Sequence, residues 1–163
     1  MASIGNAKLI EDAVKDLPNG AVVVIVKTEW NAHIIDKLEL GCKKILEANG
    51  VNSITVTVPG AVEIPFAINA YAKSANTADA FVALACVIKG DTPHFDYVCQ
   101  SITGGITILN TQLSIPVIYG VLTVNEEYQA IERIGGKHGH KGEEAATTAL
   151  KMIVLNRQMA SSK

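Results

Sequence analysis

Residues 89–96 read KGDTPHFD and lie between an apolar run, AFVALACV, and a segment with helical spacing. Thr92 is a suitable N-cap for that helix and Pro93 a suitable first residue. The free N–H groups of such a turn, with the positive helix end, attract an anion. Gly90 lets the backbone approach it closely. The same dipole disfavours the protonated form of His94, which leaves a neutral imidazole able to accept a proton near pH 7. A capped helix with a solvent-facing histidine carries the same signature. Asp91 would repel a phosphate unless turned away.

Three other stretches carry groups suited to ligand chemistry. In VPGAVEIP (58–65), Gly60 releases the chain and Ala61, Val62 and Glu63 can present free N–H groups at a helix start. Glu63 adds an acceptor for hydroxyls, although a first-turn glutamate also serves the helix dipole alone. Trp30 is the only tryptophan and follows an apolar run directly. Its indole can stack on a flat ring or fill a core. ERIGGKHGHKGEE (132–144) reads as a flexible basic loop in which Arg133 can clamp a phosphate with its guanidinium. It is not a P-loop, because Lys141 is followed by Gly142 and no strand precedes it. His138 and His140 alone do not make a metal site. Together these groups describe chemistry on a phosphorylated small molecule and a planar ring, without fixing the reaction.

The elements that must position them follow from hydrophobic periodicity. AVVVIV (21–26) reads as a buried strand, and SITVTV (53–58), AFVALACVI (80–88) and PVIYGVL (116–122) as three more strands. Between them, Ile34, Ile35, Leu38, Cys42, Ile45 and Leu46 mark one helix face, ended by Asn49-Gly50. Residues 63–75 form a second helix, and Phe95, Val98, Cys99, Ile102, Ile106 and Leu109 mark a third. Two more are expected at about 126–134 and 143–159. Continuous apolar strands alternating with helices imply a parallel sheet covered on both faces. The expectation is α/β: a three-layer α/β/α sandwich, flavodoxin-like, with a four-stranded parallel sheet in the order 2-1-3-4. Right-handed crossovers limit the alternatives. Parallel strands bring all the segments above to one sheet edge, where such sheets bind ligands. Residues 1–17 read as an N-terminal arm and 18–163 as a single domain.

Bulk properties exclude several classes. The chain has 163 residues, a net charge of −2 and no basic run suited to nucleic acid. Its longest apolar run, Ala80–Ile88, is too short to span a bilayer. The first residues lack the charged-then-apolar order of an export signal, so a cytoplasmic location is expected. Cys42, Cys86 and Cys99 are odd in number, lack metal spacing and sit in apolar stretches. They read as small core residues in a reducing compartment. Apolar residues make up 48% of the chain, more than one core of this size needs, and another subunit is the expected cover for the surplus.

VPGAVEIP, VIKGDTPHFDYVC, IPVIYGVLTV and ERIGGKHGHKG, in this order and spacing, resemble the 6,7-dimethyl-8-ribityllumazine synthase family of riboflavin biosynthesis. The resemblance runs from about residue 21 to 158. It implies a transferase that condenses 5-amino-6-(D-ribitylamino)uracil with 3,4-dihydroxy-2-butanone 4-phosphate, without a metal or other cofactor. It assigns His94 to proton transfer and Trp30 to stacking on the pyrimidine. Asn31, Ala61, Val62 and Glu63 would hold the ribityl chain, and main-chain groups of Cys86, Val87 and Ile88 would read the uracil edge. Asp91, Thr92 and Arg133 would hold the phosphate. Tyr119, where many members have Phe, would be lent by a neighbouring subunit, and Lys141 falls in the site loop. Asp91 stands where some members have a small residue, and Val62 where many have an aromatic one. The resemblance also implies a pentamer or an icosahedral shell, with riboflavin synthase as a candidate partner. A flavin-binding module without catalysis and a flavodoxin-like electron carrier are the competing classes. Intact His94 and Arg133 speak against the first, and the lack of a Ser/Thr/Gly-rich loop after the first strand speaks against the second.

Overall fold

The computed structural model describes residues 17–161. The expected arm therefore lies outside the described residues except for Leu17, which packs against the core. Four parallel strands, β1 (Val22–Thr28), β2 (Asn52–Val58), β3 (Ala80–Ile88) and β4 (Val117–Val124), form one sheet in the order β2-β1-β3-β4. This is the expected order. Helices α1 (Ala32–Ala48), α2 (Ile64–Ala72), α3 (His94–Gln112) and α4 (Glu127–Ile131) follow the strands in turn, and α5 (Lys141–Ser161) closes the fold.

Strand residues alternate between two cores, as the pleat requires. Val23 and Ile25 face α1 and α5 with Ile34, Leu38, Leu46, Leu150 and Ile153. Val24 and Val26 face α2 and α3 with Ile64, Ile68, Ile102 and Leu109. Both clusters are almost wholly buried, which makes three layers. Phe81 sits in the second cluster edge-on to Tyr71, with ring centroids 5.8 Å apart.

The crossover from β1 to β2 runs one way along the sheet with α1 on one face. The crossovers from β2 to β3 and from β3 to β4 run the other way, with α2 and α3 on the opposite face. The chain thus leaves β1 and β3 toward opposite faces, and a crevice opens at their carboxyl ends.

Glycines set two close helix contacts. A Cβ on Gly105, in mid-α3, would lie 2.5 Å from Pro65 Cγ and 2.9 Å from its Cβ, so α3 and α2 meet with no space for a side chain. Gly104 has open space around it. Of these two adjacent helix glycines, then, one is explained by packing within the chain.

Two local expectations need correction. Thr92 makes no capping hydrogen bond; α3 begins at His94 with Pro93 at the cap position. The basic stretch between the last helices is not a loose loop. After a helix of only five residues, β5 (Ile134–Gly136) pairs antiparallel with β6 (Gly139–His140). The hairpin is held on α1: the His140 ring occupies the space a side chain on Gly41 would take, and Gly142 lies against the Leu38 carbonyl.

Candidate active site

The crevice between β1 and β3 holds a cavity of about 470 Å³. Its walls come from Trp30 and Asn31 after β1, Ala61 and Val62 after β2, Cys86, Val87 and Ile88 at the end of β3, and Gly90, Thr92 and His94 at the start of α3. Four segments that are far apart in sequence thus meet in one pocket, because parallel strands end on the same edge.

Each wall has a local cause. Trp30 follows β1 in a turn pinned to the β2 end: Glu29 N–H donates to the Val58 carbonyl at 2.9 Å and Trp30 N–H to the Pro59 carbonyl at 3.3 Å. Its side chain is 67% exposed, so the indole is not a core residue in this chain. A one-turn 3₁₀ segment, Ala61–Glu63, precedes α2. It leaves Val62 exposed and the Glu63 carboxylate close enough that a Cβ on Gly60 would lie 3.0 Å from Glu63 Oε2. Asn31 Nδ2 donates to the Cys86 carbonyl at 2.9 Å, which ties the β1 and β3 ends together. His94, Thr92 and Asp91 are exposed at the α3 start.

Burial, with a smaller contribution from the Glu127 charge, pushes the Cys86 thiol up to about 11. The thiol is therefore protonated at neutral pH and is no nucleophile. Burial likewise pushes Cys42 up to about 12 and raises Cys99. Cys42 and Cys86 are buried and Cys99 half-buried, in keeping with core packing. Among the described residues, no group of three or more His, Cys, Asp or Glu is arranged to hold a metal ion. No helix among them is long and apolar enough to cross a membrane.

Five expected residues do not line this pocket. Glu63 stands just behind it and Asp91 at its rim, between Gly90 and Thr92. Arg133 is half-buried at the end of α4, its Nη1 donating to the Gln129 carbonyl at 2.7 Å. Tyr119 and Lys141 line a second cavity, of about 500 Å³, along β4 at the far edge of the sheet. There Tyr119 Oη and Thr103 Oγ1 share a hydrogen bond of 3.2 Å, and Lys141 pairs with Glu144 at 2.7 Å. Burial raises the Tyr119 hydroxyl above its ordinary range.

Three lining residues were not assigned to the site from sequence: Thr28, Phe95 and Val98. Thr28 ends β1, two residues past the end of the apolar run that marks the strand in sequence. Phe95 and Val98 read as core positions of α3. Val98 follows His94 by four residues, so both lie on one helix face, and that spacing was the available signal.

Known proteins resemble this chain over nearly the whole fold. The family model for 6,7-dimethyl-8-ribityllumazine synthase matches residues 20–157. A 6,7-dimethyl-8-ribityllumazine synthase of Porphyromonas gingivalis is 49% identical over 146 residues, covering 88% of either chain. The protein of the same name in Bacteroides fragilis is 48% identical over 132 residues, covering 79% of this chain and 92% of its own. One from Mycolicibacterium gilvum is 43% identical over 155 residues, covering 91% of this chain and 96% of its own. A match of this length includes every strand of the sheet and every wall of the crevice, and the chain belongs to the 6,7-dimethyl-8-ribityllumazine synthase family.

Proposed function

We propose that the crevice condenses 5-amino-6-(D-ribitylamino)uracil with 3,4-dihydroxy-2-butanone 4-phosphate to give 6,7-dimethyl-8-ribityllumazine, phosphate and water. The observation that carries this reading is the meeting of Trp30, the Cys86–Ile88 backbone and His94 in one pocket. A stacking surface, a hydrogen-bonding strand end and a proton carrier are what a planar diamine needs when it attacks a carbonyl.

In this reading Trp30 stacks on the pyrimidine and the ends of β3 read its polar edge. Ala61, Val62 and Glu63 hold the ribityl chain, and Asn31 stands beside it. The phosphate lies at the α3 start beside Asp91 and Thr92, where free N–H groups stabilise its charge. The uracil 5-amino group attacks the butanone carbonyl, and loss of water gives a Schiff base. Phosphate leaves, the enol tautomerises, and the ribitylamino nitrogen attacks the remaining carbonyl and closes the ring with loss of a second water. His94 relays the protons, an effect typically of ~10²–10⁴-fold. Holding both reactants together supplies much of the rest.

Arg133, Tyr119 and Lys141 act from a second copy of the chain. Three features support this: they stand away from their own chain's pocket, Trp30 is open on one side, and Phe66, Tyr97, Ile108 and Leu155 leave large apolar side chains exposed. A ring of five copies, closed or built into a shell, would complete every site. The short β5–β6 hairpin carries no insertion that would oppose a shell. A cytoplasmic setting and riboflavin synthase as partner belong to the same proposal.

Mixing the two substrates with the protein tests the reaction. Growth of the lumazine absorbance is expected. A folded protein that yields none at saturating substrate, yet binds and reversibly reduces a flavin, would replace the synthase with an electron carrier.

A further inference from the structure

Asn31 is the only non-glycine among the described residues with a positive φ, at 59° with ψ 38°. Left-handed backbone costs most residues roughly 1–2 kcal/mol, and asparagine is one of the few that adopt it readily. At this point the chain must turn from β1 into α1. The Asn31 carbonyl accepts the first two helical bonds, from Ile34 N–H at 2.9 Å and Ile35 N–H at 3.1 Å. Its side chain does not cap the helix. It points the other way, across the crevice, and its Nδ2 donates to the Cys86 carbonyl at 2.9 Å.

That bond falls where the sheet stops. The β1–β3 ladder ends at the pair Lys27 and Leu84. Beyond it the two strands part toward opposite helices and no backbone pair joins them. The Asn31 amide bridges this gap, from four residues past Lys27 to two residues past Leu84. It fixes the β3 end, where Cys86, Val87 and Ile88 line the pocket, against the turn that carries Trp30. The turn has one further internal tie, Thr28 Oγ1 donating to the Trp30 carbonyl at 3.2 Å.

We propose that Asn31 is a positioning residue: its left-handed backbone aims the Trp30 turn and its amide locks that turn to the Cys86 carbonyl, setting the gap into which the planar ring of the substrate slides. The proposal rests on the functional reading above for the identity of that ring. It differs from a ligand contact to the ribityl chain in that the bond it relies on is made to the protein itself.

Two variants keep the backbone conformation accessible and remove the donor: Asn31→Gly, free at positive φ, and Asn31→Asp, of nearly the same shape. Each loses one hydrogen bond's worth of order. The Michaelis constant for the ribitylaminouracil is expected to rise about 3- to 10-fold, with turnover and the constant for the butanone phosphate little changed. Trp30 is the only tryptophan, so time-resolved anisotropy reports its turn alone. Both variants should show a larger fast component than the parent. Wild-type anisotropy and a wild-type constant in either variant would overturn the proposal, as would an equal rise for both substrates with Trp30 still held. An inactive parent protein would overturn the functional reading only, and the anisotropy would still decide on Asn31.

Discussion

The Trp30 ring lies over the α-carbon of Gly60. A Cβ at Gly60 would sit 2.9 Å from Trp30 Cζ3 and 3.0 Å from Cε3. Gly60 itself is extended, with φ −142° and ψ −179°, a conformation that any residue adopts. The glycine is there for the indole, not for the backbone. Gly60→Ala should therefore fold normally and displace the ring. The expected cost falls on uracil binding, about 1 kcal/mol or roughly fivefold in KM, with a shifted Trp30 emission. Steady-state kinetics with each substrate varied in turn will check it, and unchanged values would mean the ring does not need this seat.

His94 is exposed at the pocket wall, and in the proposed reading other groups hold the uracil. His94→Ala should lower turnover by about 10²-fold or more and leave uracil affinity, read by quenching of Trp30, within about twofold of the parent. Residual activity is expected because positioning survives. Parent-like turnover under saturating substrates would end the proton-relay role.

Arg133 and the α3 start belong to different copies in the proposed assembly. Arg133→Lys keeps the charge and loses the planar fork, so KM for the butanone phosphate should rise more than that for the uracil. Complementation gives the sharper test. His94→Ala and Arg133→Ala chains, unfolded together and reassembled in equal amounts, should regain about a quarter of parent activity, since random mixing in a head-to-tail ring pairs two intact halves that often. No regain, or a fully active monomer by analytical ultracentrifugation, would place the site within one chain.

Glu39 of α1 lies 2.6 Å from Lys27, 2.7 Å from Lys43 and 2.7 Å from Thr55 Oγ1, and Lys27 also pairs with Asp36 at 2.8 Å. Burial alone would push the Glu39 carboxyl up. The three donors outweigh it and hold it at about 2, below its ordinary 4.5. The hydrogen bonds that Lys27 donates to Asp36 and Glu39 in turn raise its own value. A depressed carboxyl stabilises the fold above its unfolded value, and that stability drains away as pH falls from 4.5 toward 2. Glu39→Gln should cost about 2 kcal/mol at pH 7, and the gap from the parent should narrow at pH 3. Urea unfolding at both pH values measures it. A gap independent of pH would show that packing, not charge, holds Glu39.

How much of this was legible in the sequence depended on the range of the forces involved. The strands were legible from hydrophobicity: β1 and β3, buried along most of their length, read as continuous apolar runs, and β2, only partly buried, reads by alternation. Trp30, Asn31, Cys86, Thr92 and His94 fell together because every parallel strand delivers its carboxyl end to one edge. The β5–β6 hairpin stayed hidden, since Ile134–Gly136 and Gly139–His140 are too short and glycine-rich to alternate. Thr92 looked like a cap because its type favours capping, yet the helix starts two residues later. The Lys27–Glu39 cluster joins a strand to a helix through side chains twelve positions apart, a spacing that no periodicity reveals. The Asn31 bond to Cys86 spans 55 positions and depends on a backbone angle that composition does not encode.

The contact of Gly105 with Pro65 has a further consequence. Pro65 stands in the first turn of α2, just after the Ala61–Glu63 segment, and Gly105 lies on the helix whose first residue is His94. With proline ring against bare backbone, the two helices share a fulcrum that cannot be compressed. Neither can swing toward a ligand without lifting the other. Adaptation to two successive substrates therefore belongs to side chains and strand-end turns, and heat capacity on binding should follow the area covered rather than any closing of the walls.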